Sequence, residues 1–217
     1  MPLFAHADIG ELKRLAEGST LRGYDRGQDV FRAGERCEGL HLAVMGHVKL
    51  YVLSALGQEK VIDIAGPGQT FAESLMFTDG PCNAHAQALT GALVLTIRRE
   101  TVVAEIERCP RFSLRMLGLV SRRVHGLERD VMDYCLCSGA ERVVAYLLRD
   151  LPDAASCRGE LTVSLPVSKA TVASRLSLTR EYFSRVLHEL ESQGLIEMKR
   201  REIRIPDASR LAACQLH

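Results

Sequence analysis

Residues 168–195, SKATVASRLSLTREYFSRVLHELESQGL, constrain the chain more than any other stretch. Their spacing predicts a helix, a tight turn and a second helix, each with one apolar and one charged face. On the second helix Phe183, Val186, Leu187 and Leu190 recur at i, i+3, i+4 and i+7, which makes a buried stripe. Thr179 can cap that helix and leave Arg180 and Glu181 in its first turn, with Ser184, Arg185 and His188 on the same polar side. A guanidinium forks onto the two acceptors of guanine, and a carboxylate accepts from the cytosine amine, so this edge has the groups that read bases in a major groove. An ordinary helical hairpin with a solvated polar face would share the periodicity. The next residues, SQGLIEMKRREIRIPD, separate the two readings. They read as a helix end closed at Gly194, then strands at 195–198 and 202–205 joined by the basic turn Lys199-Arg200-Arg201. A helix pair followed by a small basic hairpin is a winged helix-turn-helix, with the wing placed to touch phosphate.

Charge agrees with a specific reader rather than a general nucleic-acid coat. The net charge is only +1, yet from 168 to 204 eight Lys/Arg stand against five Asp/Glu. The 217 residues allow one large or two small domains, and with no Trp the core falls to Val, Leu, Ile and Met. No apolar run approaches the ~20 residues of a membrane span, so no membrane partner is expected. The opening MPLFAHADIGELKRL lacks the charged start and apolar core of a secretory signal. Seven scattered cysteines, an odd number, fit a reducing compartment, and the expected location is cytoplasmic. The absence of HExxH, GxSxG, a P-loop or usably spaced metal carboxylates argues against an enzyme.

In chain order, 8–18 read as a short helix with Asp8 as its cap. From 19 to 98, β-rich runs (DVFRA, LHLAV, HVKLYVL, KVIDIA, ALVLTIR) alternate with Gly-bearing turns, as in an antiparallel barrel or sandwich. Residues 100–136 return to helix, interrupted near Pro110. There Leu117, Val120, Val124, Leu127, Val131 and Tyr134 follow steps of 3 and 4, the seam of a two-stranded coiled coil. A helix packed on its own barrel is the alternative. Arg122, Arg123, Glu128, Arg129 and Asp130 fall on the remaining, solvated faces. A dimer would present two reading helices to half-sites about one DNA turn apart. Ser138-Gly139 is the candidate hinge, followed by a helix at 140–151, a loop at 152–159 and a strand at 161–165. The expected division is 1–111 sensor domain, 112–138 dimerisation helix and 139–217 DNA-binding domain.

This order of parts resembles the CRP/FNR family of bacterial transcription regulators. Gly34-Glu35, Gly46, Gly57-Gln58-Glu59-Lys60, Pro67-Gly68 and Phe71-Ala72-Glu73 match the family's turn pattern. Thr179-Arg180-Glu181 with Ser184-Arg185 matches its recognition signature. The resemblance implies an α+β fold: a cyclic-nucleotide-binding-like antiparallel β-roll, a long dimerisation helix and a C-terminal winged helix-turn-helix. It also implies a homodimer on a palindromic promoter site in double-stranded DNA, with RNA polymerase as partner. By the same carry-over Arg180, Glu181 and Arg185 face bases. Ser184 is the FNR-like feature of a TTGAT-type reader, whereas Arg180 is more like CRP. Ser168, Lys169 and Thr171 would hold phosphate, and so would His188.

The effector is less legible. Cyclic-AMP binders hold ribose with a Glu, here Glu73, and phosphate with an Arg about ten residues later. Residues 81–85, Pro-Cys-Asn-Ala-His, contain none. A buried phosphate without a cation is costly, so cyclic AMP is not expected and Glu73 reads as structural. No cysteine precedes Cys37, so the family's iron–sulfur cluster is not expected either. FAESLMF, GQEK, FSRVLHELESQG and REIRI look like the Dnr-type regulators of denitrification. That likeness implies haem b in an apolar pocket between barrel and dimer helix, with nitric oxide as ligand and activation as the output. The candidate axial ligands are His85 and Cys82, with His41, His47 and His125 behind them, and Glu73 in the pocket wall. Thiol oxidation, or a small ligand other than cyclic AMP, is the alternative effector chemistry.

Overall fold

The Asp8 carboxylate accepts the Glu11 backbone N–H at 2.7 Å and starts helix α1 (Ile9–Glu17). The computed structural model describes residues 2–78, 80–149, 161–200 and 202–214. They divide into two compact units, Met1–Leu127 and Glu128–His217.

In the first unit α1 leads into β1 (Ser19–Tyr24), β2 (Asp29–Phe31), β3 (Gly39–Met45), β4 (Val48–Leu53), β5 (Glu59–Ala65) and β6 (Thr70–Phe71). A short helix α2 (Glu73–Met76), β7 (His85–Ala88) and β8 (Ala92–Arg98) complete the roll. The strands form two four-stranded antiparallel sheets, in the orders β1-β8-β3-β6 and β2-β7-β4-β5. The five runs picked out by β-rich composition all carry strands. β1, β6 and β7 escape that reading. The four middle residues of β1 are exposed, so it shows no hydrophobic alternation, and β6 has only two residues.

Phe31, Val48, Leu50, Phe71, Ala86 and Val94 pack in one cluster drawn from both sheets. Fully burying side chains of this kind contributes roughly 1.5–3 kcal/mol each, against the entropy of ordering them. A second cluster, including Leu15, Leu40, Ile97, Val102, Phe112 and Met116, joins α1 to α3 (Arg99–Arg108) and to the start of α4 (Pro110–Leu136). The break expected near Pro110 is therefore a boundary between two helices, with Pro110 at the first position of α4, where its missing N–H costs nothing. Arg14 grips Glu105 through two nitrogens at 2.7 and 2.8 Å, and Arg115 pairs with buried Glu11. These arginines neutralise the one cluster of carboxylates and thiol (Glu11, Glu105, Cys109) with metal-like proximity among the described residues.

In the second unit the end of α4 is followed by α5 (Gly139–Leu148), β9 (Leu161–Ser164), α6 (Lys169–Arg175) and α7 (Arg180–Ser192). β10 (Glu197–Lys199), β11 (Glu202–Ile205) and α8 (Ala208–Ala212) close the unit, and its sheet runs β10-β11-β9. The fold is α+β, with a β-roll and a winged helix-turn-helix. Residues 150–160 lie outside the described residues, and with them the loop expected at 152–159.

Three expectations are corrected. Tyr134 does not continue the apolar seam of α4: it is half-buried, and its hydroxyl donates to Arg175 O of the same chain at 2.7 Å. Arg123 and Asp130 do not sit on a solvated face: Arg123 pairs with Asp63 and Asp130 with Arg175, each at 2.6 Å. The first strand of the wing begins at Glu197 rather than at 195, because Leu195 and Ile196 are buried in the core of the unit.

Candidate nucleic-acid interface and effector cleft

Thr179 has extended backbone, and its hydroxyl accepts the Tyr182 N–H at 3.1 Å. The cap fixes where α7 begins and therefore which residues occupy its first turn. Phe183, Val186, Leu187 and Leu190 are at most 2 % exposed, so the stripe is buried and the opposite edge is left to solvent. Arg180, Glu181 and Arg185 lie exposed on that edge, with Ser184 half-buried beside them. The Arg185 guanidinium rests over the Tyr182 ring, 4.9 Å from its centre, which limits the rotamers of a long side chain before any ligand arrives. His188 is exposed and 3.6 Å from Glu191.

Several contacts fix the position of α7. The turn between α6 and α7 closes through Leu178 N–H to Ala173 O at 2.9 Å. Tyr182 and Leu178 pack on Gly139, where an added Cβ would stand 2.6 Å from the Tyr182 ring and 2.9 Å from Leu178. Gly139 is thus a site of close approach to the reading helix, and the preceding Ser138 forms a capping box with Glu141. At the end of α4, the Tyr134 hydroxyl donates to Arg175 O at 2.7 Å and Arg175 pairs with Asp130. Arg142 of α5 donates to Leu176 O at 2.9 Å. Sequence reasoning missed Tyr182, Arg175, Arg142 and Asp130 as positioning groups, since their partners are distant in the chain.

At the start of α6, the Ser168 hydroxyl accepts the Thr171 N–H at 3.2 Å and lies 2.8 Å from the Thr171 hydroxyl. The Lys169 ammonium sits 3.7 Å from the Met198 sulfur, beside the wing. The wing turn bends at Arg200, whose φ is +57°, and Gly194 closes α7 at φ +67°. Arg201 lies outside the described residues.

The first unit holds a cleft of about 200 Å³ between α2, residues 83 and 84, and α4. Leu50, Leu75, Ala84, Val120 and Val124 give it an apolar wall, and Glu73 and Arg123 are its charged groups. Glu73 is 6 % exposed and accepts the Thr70 hydroxyl at 2.5 Å. It follows Ala72, a non-glycine residue held at φ +62°. Arg123 is the cation that residues 81–85 lack, but it comes from α4 and is paired with Asp63.

The haem-ligand candidates do not converge on this cleft. Cys82 is 2 % exposed in the inter-sheet core, and burial pushes its thiol up to about 11. His85 stacks on Tyr51 at 4.9 Å and accepts the Ala33 N–H on Nδ1 at 3.4 Å. His41 is buried against Phe71 with Nδ1 2.9 Å from the Thr96 hydroxyl, and burial lowers its pKa to about 4. Burial also lowers that of half-buried His47. His125 is exposed on α4. Among the described residues no His, Cys or Met lines the cleft, and its volume falls below the roughly 300–1,000 Å³ typical of ligand pockets. The residues in this arrangement do not fit a haem.

An exposed, braced polar edge beside a basic wing, together with a separate β-roll that carries a cleft, defines a two-part DNA-binding regulator. Residues 141–214 match the Crp-like helix-turn-helix domain family, and residues 21–109 match the cyclic nucleotide-binding domain family. The chain is 29% identical to the cyclic AMP receptor protein of Thermus thermophilus over 212 residues, covering 97% of this chain and 94% of that one. It is 26% identical to the fumarate and nitrate reduction regulatory protein of Salmonella typhimurium over 198 residues, covering 88% and 77% of the two chains. The crystal structure of DNR from Pseudomonas aeruginosa is similar at 34% identity and a TM-score of 0.51, with 98% of this chain and 93% of that one covered. The chain belongs to the CRP/FNR family of transcription regulators, and its homologues are regulators rather than enzymes.

Proposed function

We propose that this protein is a cytoplasmic homodimer that reads a palindromic, FNR-like promoter site and works with RNA polymerase. The observation that carries the reading is the edge of α7: a Thr179-capped first turn that exposes Arg180 and Glu181, with Arg185 braced on Tyr182. Ser168, Lys169 and Thr171 at the start of α6, and the wing turn, would take phosphate. The uncovered apolar seam of α4 supports a dimer: Leu117, Val124, Leu127 and Val131 are 46–62% exposed at coiled-coil spacing.

The cleft bounded by Glu73 and Arg123 is the effector site in this reading. Its apolar wall and single cation suit a small, largely apolar ligand with one anionic group. Haem with nitric oxide is the effector that likeness to DNR suggests, but it would need an axial ligand that the cleft walls do not supply.

Fluorescence anisotropy with a duplex carrying two TTGAT-type half-sites tests the DNA reading. Arg180→Ala and Arg185→Ala should each cost roughly 1–3 kcal/mol of discrimination against a mismatched duplex. Unchanged discrimination in both variants would refute the docking of α7. A visible titration with haem, with and without nitric oxide, tests the effector. A spectrum that stays that of free haem removes the haem reading.

A further inference from the structure

Away from the reading helix, two thiols of the first unit lie side by side. Backbone hydrogen bonds tie their segments together: Gly34 N–H donates to Cys82 O and Cys82 N–H to Glu35 O, both at 2.8 Å. The Cys37 thiol donates to Gly39 O at 3.4 Å, and Cys37 packs on the same core cluster that holds Cys82, so that each thiol shifts the titration of the other. Cys82 is sealed from solvent, whereas Cys37 is half-buried and lines two surface grooves, with Arg36 and Arg99 in the walls of both. One thiol is reachable from outside, its neighbour is held directly behind it, and two guanidiniums stand at the entrance. We infer that Cys37 and Cys82 form a redox-active dithiol, which a hydroperoxide closes to an intrachain disulfide.

The order of events follows from the surroundings. Burial pushes both thiols up, Cys82 to about 11, while the Arg99 charge and the adjacent Cys82 thiol favour the thiolate of Cys37 and the Glu38 charge opposes it. Cys37 therefore loses its proton first and attacks the peroxide. An S–O bond forms as the O–O bond breaks, and the departing oxygen leaves as water or an alcohol. The Cys82 sulfur then attacks the sulfenic sulfur. The S–S bond forms, the S–O bond breaks, and the hydroxide leaves with the Cys82 proton as water. The two thiols lose two electrons and the peroxide gains them. Because burial keeps both thiols protonated at neutral pH, closure is slow and accelerates as pH rises. Cys82 is followed by Asn83 and Ala84, which line the cleft, so the disulfide would tether that wall to the turn at Gly34. This last consequence rests on the effector reading of the cleft, whereas the dithiol does not.

The test uses full-length protein with the cysteines other than Cys37 and Cys82 replaced by serine, and the native chain beside it. Reduced protein is treated with hydrogen peroxide, unfolded in iodoacetamide and mapped by mass spectrometry. The expected product is a Cys37–Cys82 cross-linked peptide, lighter by two hydrogens and reversed by dithiothreitol, with no alkylatable thiol left in the serine variant. Its formation should quicken from pH 7 to pH 9. In the native chain, Cys37→Ser removes this peptide and leaves Cys82 alkylatable. Oxidation of Cys37 to a sulfinic acid, or cross-linking between chains, with Cys82 still alkylated would overturn the inference. Operator affinity of the oxidised and reduced serine variant reads the cleft consequence separately. Equal affinities would remove that link and leave the dithiol standing.

Discussion

Leu117→Ala isolates the seam of α4. Leu117 is 62% exposed in the single chain, at the first position of the run that continues through Val120, Val124, Leu127 and Val131. The change removes roughly three carbon groups at about 0.8 kcal/mol each, or ~2.4 kcal/mol for complete burial. Only the exposed part has water to lose on association, which leaves ~1.5 kcal/mol per subunit. A two-fold seam counts the change twice, so the dimer should weaken by ~3 kcal/mol, roughly a hundredfold in its dissociation constant. Alanine favours helix at least as well as leucine, so α4 itself should persist. Sedimentation equilibrium over a wide concentration range measures the constant, and operator binding should weaken with it. Met132 is the control: it is 58% exposed but lies one residue off the seam. Met132→Ala removes a comparable apolar area and should leave the dimer intact. Equal effects from the two variants, or none from Leu117→Ala, would refute the seam.

Gly139→Ala should destabilise the second unit by roughly 1–3 kcal/mol of overpacking, because its Cβ would meet the Tyr182 ring at 2.6 Å. It should also weaken operator binding, since Arg185 rests on that ring; thermal melting and anisotropy check the two effects. His41 gives a pH dependence. Its folded pKa of about 4 lies below the ~6.5 of an unfolded histidine, so between those values the unfolded chain binds the extra proton. The stability this group contributes is complete above about pH 6.5 and is lost as pH falls toward 4, by roughly 2 kcal/mol at pH 5. Urea denaturation at pH 7.5 and pH 5 should show that loss in the native chain but not in His41→Gln, and parallel losses would refute it.

Local patterns were legible where the physics is local. The 3.6-residue stripe of α7 and the Thr179 and Asp8 caps each depend on residues within a few turns, and each lies where periodicity or capping chemistry put it. The site's charged partners depend on contacts that spacing cannot show. Arg123 looked solvated because nothing within its helix pairs with it, and Asp63 of β5 does. Arg175 is held by Asp130 and bonded to Tyr134, both far from it in the chain. The histidines misled for the same reason. His85 and His41 have the chemistry of axial ligands, but Tyr51 and the Ala33 N–H engage one, while Phe71 and Thr96 engage the other. β1 was lost because its four middle residues, Leu21 among them, are exposed, so neither face shows hydrophobic alternation.

α4 gives these parts a physical connection. Val120, Arg123 and Val124 belong to the cleft wall of the first unit, and Asp130 and Tyr134, on the same continuous helix, hold α6 in the second. An effector that moved Arg123 away from Asp63 would act on a helix whose other end is bonded to the element preceding the reading helix. The Tyr134 hydroxyl contributes one hydrogen bond to a backbone carbonyl, worth about 1 kcal/mol, and Asp130 adds a half-buried ion pair to Arg175. If α4 positions the reader through these two groups, Tyr134→Phe with Asp130→Asn should lower operator affinity about tenfold, with base discrimination retained because Arg180 and Arg185 are untouched. The dimer constant should hold, since the substituted groups face the chain's own α6. Sedimentation and anisotropy on the single and double variants separate these terms. Native operator affinity in a dimeric double variant would show that α4 only tethers the two units and that the signal takes another path.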